Sequence, residues 1–112
     1  MTKILVVEDS ATQAEELRFL LESEGYEVEI SRDGGNGLAR SRQGGIDVVL
    51  SDVVMPEIDG YELCKRLKVD PSTSGIPVIL LTSLADPMDI VRGLECGADN
   101  FITKPYEAEY LL

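Results

Sequence analysis

Apolar residues come along this chain in short runs. Ile4-Leu5-Val6-Val7 and Val78-Ile79-Leu80-Leu81 are apolar throughout, and shorter or mixed runs stand at Val28 to Ile30, Ile46 to Leu50 and Phe101 to Ile102. Runs of this length predict strands, and those apolar on both faces predict strands covered on both sides. Between the runs the period changes to that of a helix, as in Ala14, Leu17, Leu20 and Leu21, which share one helical face. Five strands with intervening helices predict an α/β chain built on a doubly wound, five-stranded parallel sheet.

Local signals divide the chain at the same places. Ser10-Ala11-Thr12-Gln13 has the S-x-x-Q form of a capping box, and Gly25 stands where the first helix would stop. Asp59-Gly60-Tyr61-Glu62 reads as a structural N-cap with an acidic third residue. Asp86-Pro87 reads as an N-cap followed by proline, with Gly97 closing that helix. The second helix is the weakest. Between Gly34-Gly35-Asn36-Gly37 and Gly44-Gly45 it has only about two turns, and each internal glycine costs on the order of 1 kcal/mol against alanine. The stretch from Val69 to Ile76, with Pro71 and Gly75, is expected to be the longest loop and to carry no chemistry.

Length and charge narrow the possibilities. A chain of 112 residues is expected to form one domain, 1–112, that buries roughly two thirds of its unfolded surface. With 21 acidic against 10 basic residues the net charge is −11, which argues against direct contact with nucleic acid or anionic membranes and favours cations and basic partners. No apolar stretch approaches a membrane span, and the N-terminus passes directly into the strand-like KILVVED, so a cytoplasmic protein is expected. There is no histidine, which removes Ser-His-Asp and Cys-His catalysis and His-liganded metals together. Cys64 and Cys96 lack metal-ligand spacing and are expected to be buried small hydrophobes.

In parallel sheets of this class, ligands bind beyond the carboxyl ends of the strands. Those ends carry Glu8-Asp9 after the first strand, Asp52 on the third, Thr82-Ser83 on the fourth and Thr103-Lys104-Pro105 on the fifth. The second strand, ending in Ser31-Arg32-Asp33, offers nothing that matches. If the strand order is 2-1-3-4-5, the four informative ends are contiguous, and three carboxylates, a hydroxyl and an ammonium meet in one cleft. Carboxylates that close repel one another unless a cation neutralises them, and oxygen-only ligands point to Mg²⁺. Lys104 then faces a phosphoryl group from the other side, Thr82 offers it a hydroxyl, and Asp52 is placed as its nucleophile.

The stretches VVEDS (6–10), LSDVVMPEIDG (50–60), ILLTS (79–83) and GADNFITKPY (97–106) make the chain similar to the response-regulator receiver domains of two-component signalling systems. They cover nearly its whole length in the family's order and spacing. The resemblance implies a flavodoxin-like sheet of order 2-1-3-4-5, with Mg²⁺ held by Glu8, Asp9, Asp52 and the backbone carbonyl of Val54. It implies that Asp52 is phosphorylated, that Lys104 binds the phosphoryl group, and that Thr82 and Phe101 are the switch residues. A cis Lys104-Pro105 peptide goes with the same pattern. The implied phosphodonor is a partner histidine kinase or phosphotransfer protein, and the implied reader is a downstream protein or fused output domain. Dimerisation on phosphorylation is open to it. Such a receiver is not an enzyme in the ordinary sense, since it promotes only its own phosphorylation and dephosphorylation.

Other classes fit less well. A haloacid-dehalogenase-type phosphatase would need a second Asp where Val54 stands, and a flavin carrier would place its phosphate against Glu8-Asp9. A phosphorylation-independent receiver-like interaction module is the alternative, although Asp9, Asp52 and Lys104 are all present. Val54 and Leu84 are apolar at positions that in this family influence attack of water on the phosphoryl group, so slow self-dephosphorylation is expected. The last helix, Tyr106 to Leu112, is short or truncated and ends on Leu111-Leu112, which suggests the receiver portion of a longer protein or a shortened chain.

Overall fold

The computed structural model describes residues 2–82, 91 and 95–103. Along the chain these form β1 (Lys3–Val7), α1 (Ala11–Ser23), β2 (Glu27–Ser31), α2 (Gly34–Arg42), β3 (Val48–Asp52), α3 (Gly60–Val69), β4 (Val78–Thr82) and β5 (Asn100–Thr103). The strands pair in parallel in the order β2-β1-β3-β4-β5, as expected. The predicted helix opened by Asp86-Pro87, the cis Lys104-Pro105 peptide and the helix from Tyr106 to Leu112 lie outside the described residues.

Alternation along each strand sends side chains to opposite faces of the sheet. Leu5, Val7, Val49 and Leu80 pack with Leu38 of α2 and with Leu63, Cys64 and Leu67 of α3. Ile4, Val6, Leu50 and Leu81 pack on the other face with Leu17 and Leu21 of α1. Two cores therefore sandwich one sheet, which is why runs such as Ile4 to Val7 are apolar throughout. Fully burying an aliphatic side chain of this size stabilises by about 1.5–3 kcal/mol.

Two expectations shift in detail. The third strand begins at Val48 rather than Ile46. Ile46 is still buried in the α2–α3 core, but just ahead of the strand, Asp47 exchanges bonds with Lys3: its N–H donates to the Lys3 carbonyl at 2.9 Å, and its Oδ2 accepts the Lys3 N–H at 2.8 Å. On α1, Leu20 is only half-buried while Ala14, Leu17 and Leu21 are buried, so the helix's apolar stripe is narrower than its pattern suggested. The glycine-rich α2 runs nine residues, capped by Asp33, whose Oδ1 accepts the Asn36 N–H at 2.7 Å. Gly37 is there for closeness, since a Cβ would come within 2.8 Å of Val7 Cγ2. The loop after α3 is tied inward by buried Thr73, whose hydroxyl donates to the Leu67 carbonyl at 2.7 Å.

Candidate functional site

The strand order reverses between β1 and β3, since β2 lies to one side of β1 while β3, β4 and β5 follow on the other. A crevice forms beyond the carboxyl ends at such a reversal, because the two flanking connections leave in opposite directions. Glu8 and Asp9 follow β1 there, and Asp52 ends β3. One carboxylate oxygen from each of the three comes within 4.8 Å of the others. Glu8 is 1% exposed and Asp52 8%, whereas Asp9 is open to solvent.

Each carboxylate is held by local structure. Ser10 caps α1, its Oγ accepting the Gln13 N–H at 3.3 Å, while its own N–H donates to Glu8 Oε1 at 3.1 Å. The Glu8 N–H donates to the Ser31 carbonyl at 3.0 Å, which extends the β1–β2 pairing by one residue. Asp52 Oδ1 accepts the Val53 N–H at 3.0 Å, and that N–H also reaches the Leu81 carbonyl at 3.0 Å. Beneath this turn runs the start of α3. Asp59 caps it, its Oδ1 accepting the Glu62 N–H at 2.9 Å, and the Gly60 N–H donates to the Val53 carbonyl at 2.8 Å. A Cβ on Gly60 would run into the Asp52 carbonyl and lie 2.8 Å from Val53 Cα, so only glycine lets α3 come this close under the aspartate.

Of the expected site residues, the structure brings Glu8, Asp9 and Asp52 together. Val54 stands two residues beyond Asp52 and is 60% exposed. The register places the backbones of Thr82 and Thr103 opposite one another at the same end of the sheet, and pairs Phe101 with Leu80 two residues earlier. Lys104, the next residue in the chain, lies outside the described residues. Cys64 and Cys96 are buried and form no disulfide, the Cys64 thiol donating to the Cys96 carbonyl at 3.4 Å. Burial, and then Cys96 beside it, pushes the Cys64 thiol well above the usual range for cysteine.

One residue escaped the sequence reading. Arg32, just past β2, reaches across the end of β1 and donates from Nη2 to the Asp9 carbonyl at 2.6 Å. The signal was available in the strand order, because 2-1-3-4-5 sets the end of β2 beside the Glu8-Asp9 loop.

Like charges about 4 Å apart repel by about 4 kcal/mol at an effective dielectric of 20, so three gathered carboxylates are costly without a counter-charge. A cluster built from carboxylate oxygens alone, one member open to solvent, suits a hard divalent cation that retains water.

The profile of the response regulator receiver domain matches residues 4–112. The chain belongs to that family. It is 42% identical over 112 residues to the sensory transduction protein RegX3 of Mycolicibacterium smegmatis, covering all of this chain and 48% of that protein. The chain thus spans about half the length of the curated relatives it first matches. Among solved structures, the signal receiver domain of a signal transduction histidine kinase from Syntrophus aciditrophicus superposes with a TM-score of 0.92 at 52% identity, covering 99% of this chain and 84% of that one. The receiver domain of sensor histidine kinase PA1611 from Pseudomonas aeruginosa PAO1, solved with magnesium coordinated in its active-site cleft, superposes at 0.90 with 27% identity, covering 98% and 90%. The protein is therefore a receiver domain of two-component signalling, with the doubly wound fold of that family.

Proposed function

We propose that Asp52 is the phosphoacceptor of this receiver. A carboxylate oxygen of Asp52 attacks the phosphorus of a phosphohistidine on a partner kinase or phosphotransfer protein. An O–P bond forms, the P–N bond breaks, and the imidazole leaves with the electron pair. The observation that carries this reading is the placement of Asp52. It is 8% exposed at the end of a central strand, with Glu8 and Asp9 oxygens within 4.8 Å.

Glu8, Asp9, Asp52 and the Val54 carbonyl would hold Mg²⁺, in keeping with their oxygen donors and with the magnesium in the PA1611 receiver. Bound there, the ion supplies positive charge to the gathered carboxylates and to the oxygens of the transferred group. The chain's own residues do the rest. The Val53 N–H orients Asp52, and Gly60 sets the height of its backbone. Lys104 pairs with the phosphoryl oxygens, and Thr82 donates its hydroxyl to them. Phe101 then moves into the space that Thr82 vacates, and the population shifts toward a surface read by a downstream protein or fused output domain. Residues 1–112 act as one receiver unit in the cytoplasm, and dimerisation on phosphorylation is one output open to it.

Incubation with acetyl phosphate and Mg²⁺, followed by intact-mass measurement, tests the reading. One phosphoryl group is expected on the wild type and none on Asp52→Asn. A wild type that gains nothing overturns the assignment in favour of a phosphorylation-independent interaction module.

A further inference from the structure

Glu8 and Asp9 are neighbours in sequence, and neighbouring side chains of an extended chain point to opposite sides. Both carboxylates join one cluster only because the backbone bends at Asp9. Glu8 is fixed from within by its burial, by its N–H bond to the Ser31 carbonyl at 3.0 Å and by the Ser10 N–H on its Oε1 at 3.1 Å. Asp9 is exposed, and repulsion from the other two carboxylates favours conformations that carry its side chain away from them. The Arg32 guanidinium holds the Asp9 carbonyl at 2.6 Å, from a residue that follows β2 directly and so moves with the sheet.

We propose that Arg32 is a positioning residue for the ion site: by clamping the Asp9 carbonyl it keeps the bend that presents the Glu8 and Asp9 carboxylates together with Asp52. This rests on the Mg²⁺ site proposed above. Two effects of Arg32 oppose each other, and their signs differ. As a cation near the carboxylates it repels a second cation, so its removal tightens Mg²⁺ binding if charge is all it contributes. As a clamp it pre-organises two ligands, so its removal weakens binding, as loss of partners that orient metal ligands generally does. A planar guanidinium on a carbonyl forms a short, charge-assisted bond, and at 2.6 Å the clamp dominates.

Calorimetric titration with Mg²⁺ at fixed ionic strength decides between them, using the wild type, Arg32→Met and Arg32→Lys, with thermal unfolding of each metal-free protein. Arg32 is exposed, so the metal-free variants are expected to unfold with the wild type. Arg32→Met is expected to bind Mg²⁺ about tenfold more weakly. Arg32→Lys, which keeps a cationic donor of similar reach, is expected to recover part of that loss. Equal or tighter binding by Arg32→Met overturns the proposal, as does a lysine variant no better than the methionine one. A wild type that binds no Mg²⁺ overturns the ion site and the clamp together. One that binds Mg²⁺ but gains no phosphoryl group from acetyl phosphate overturns the phosphoacceptor reading alone.

Discussion

Glu57 sits at φ +65°, the one non-glycine residue at positive φ among those described. The loop from Met55, which is buried, through Pro56 to Asp59 must turn within a few residues to bring Gly60 beneath Asp52. Glu57 absorbs that turn in a left-handed conformation that costs a side-chain-bearing residue about 1–2 kcal/mol. Glycine removes the cost but gains freedom in the unfolded chain, which returns about 0.4–1 kcal/mol of it. Glu57→Gly is therefore expected to raise the stability by about 0.5–1 kcal/mol in urea unfolding, and Glu57→Val to lower it. A glycine variant less stable than the wild type would show that the Glu57 side chain does something the strain hides. Val54 is the other residue to test. An apolar side chain, 60% exposed and two residues beyond Asp52, has no hydrogen-bonding group with which to hold a water molecule for attack on a phosphoryl group carried by Asp52. Val54→Asn is expected to shorten the lifetime of the phosphorylated protein about tenfold, about 1.4 kcal/mol in the barrier. The check is decay of the intact mass in Mg²⁺ after the donor is removed, and equal decay of the two proteins sinks the expectation.

At the scale of elements, α3 is fastened to the sheet at both ends. Its start meets β3 through Gly60. Its far end does so through Lys68, whose Nζ lies 2.8 Å from Asp99 Oδ2 and donates to the Ile76 carbonyl at 2.8 Å. Asp99 Oδ2 also accepts the Val78 N–H at 2.7 Å, so one carboxylate joins α3, the start of β4 and the lead into β5. Burial by itself raises the Asp99 carboxyl, but the Lys68 ammonium and the Val78 N–H outweigh it and hold it below the usual carboxylate range. Its folded pKa is thus lower than its unfolded one, so this stability is present above about pH 4 and is lost as the pH falls through the folded value. Asp99→Asn is expected to cost about 0.5–1 kcal/mol at pH 7, discounted because the side chain is half-exposed, and the gap from the wild type should close on acidification. A gap that stays constant with pH would make the loss steric rather than ionic. This clamp was not legible in the sequence, because nothing local links Lys68 to Asp99. The strands were legible, because burial on both faces leaves doubly apolar runs. The second helix looked weak because propensity counts each glycine as a cost. It cannot register that Gly37, by lacking a Cβ, lets α2 lie against Val7. Glu8, Asp9 and Asp52 could be read because strand ends are where a parallel sheet collects chemistry. Arg32 could be read only through the strand order, since its importance comes from the neighbour across the sheet.

For the molecule as a whole, the acidic balance and the site are one electrostatic problem. A net charge of −11 on 112 residues opposes compaction everywhere, and among the described residues Glu8, Asp9 and Asp52 bring three of its carboxylates within 4.8 Å of one another. The fold tolerates that cluster because two cores cover the sheet on which it stands, so energy spent at the strand ends is offset by burial elsewhere. Such a molecule is less stable free of a cation than its core would allow, and a ligand that binds only the folded state restores the difference by mass action. At a hundred times its dissociation constant, Mg²⁺ is expected to add about 2.7 kcal/mol to folding, and to raise the unfolding temperature beyond what NaCl does at matched ionic strength. Asp52→Asn separates the two contributions. With one charge fewer in the cluster it is expected to unfold at a higher temperature than the wild type without Mg²⁺, and to gain less when Mg²⁺ is added. Thermal unfolding followed by circular dichroism, with the two proteins in both salts, measures all of this. If Asp52→Asn is less stable than the wild type without the ion, the carboxylates are not in repulsion, and a hydrogen-bonded network rather than a cation keeps them together.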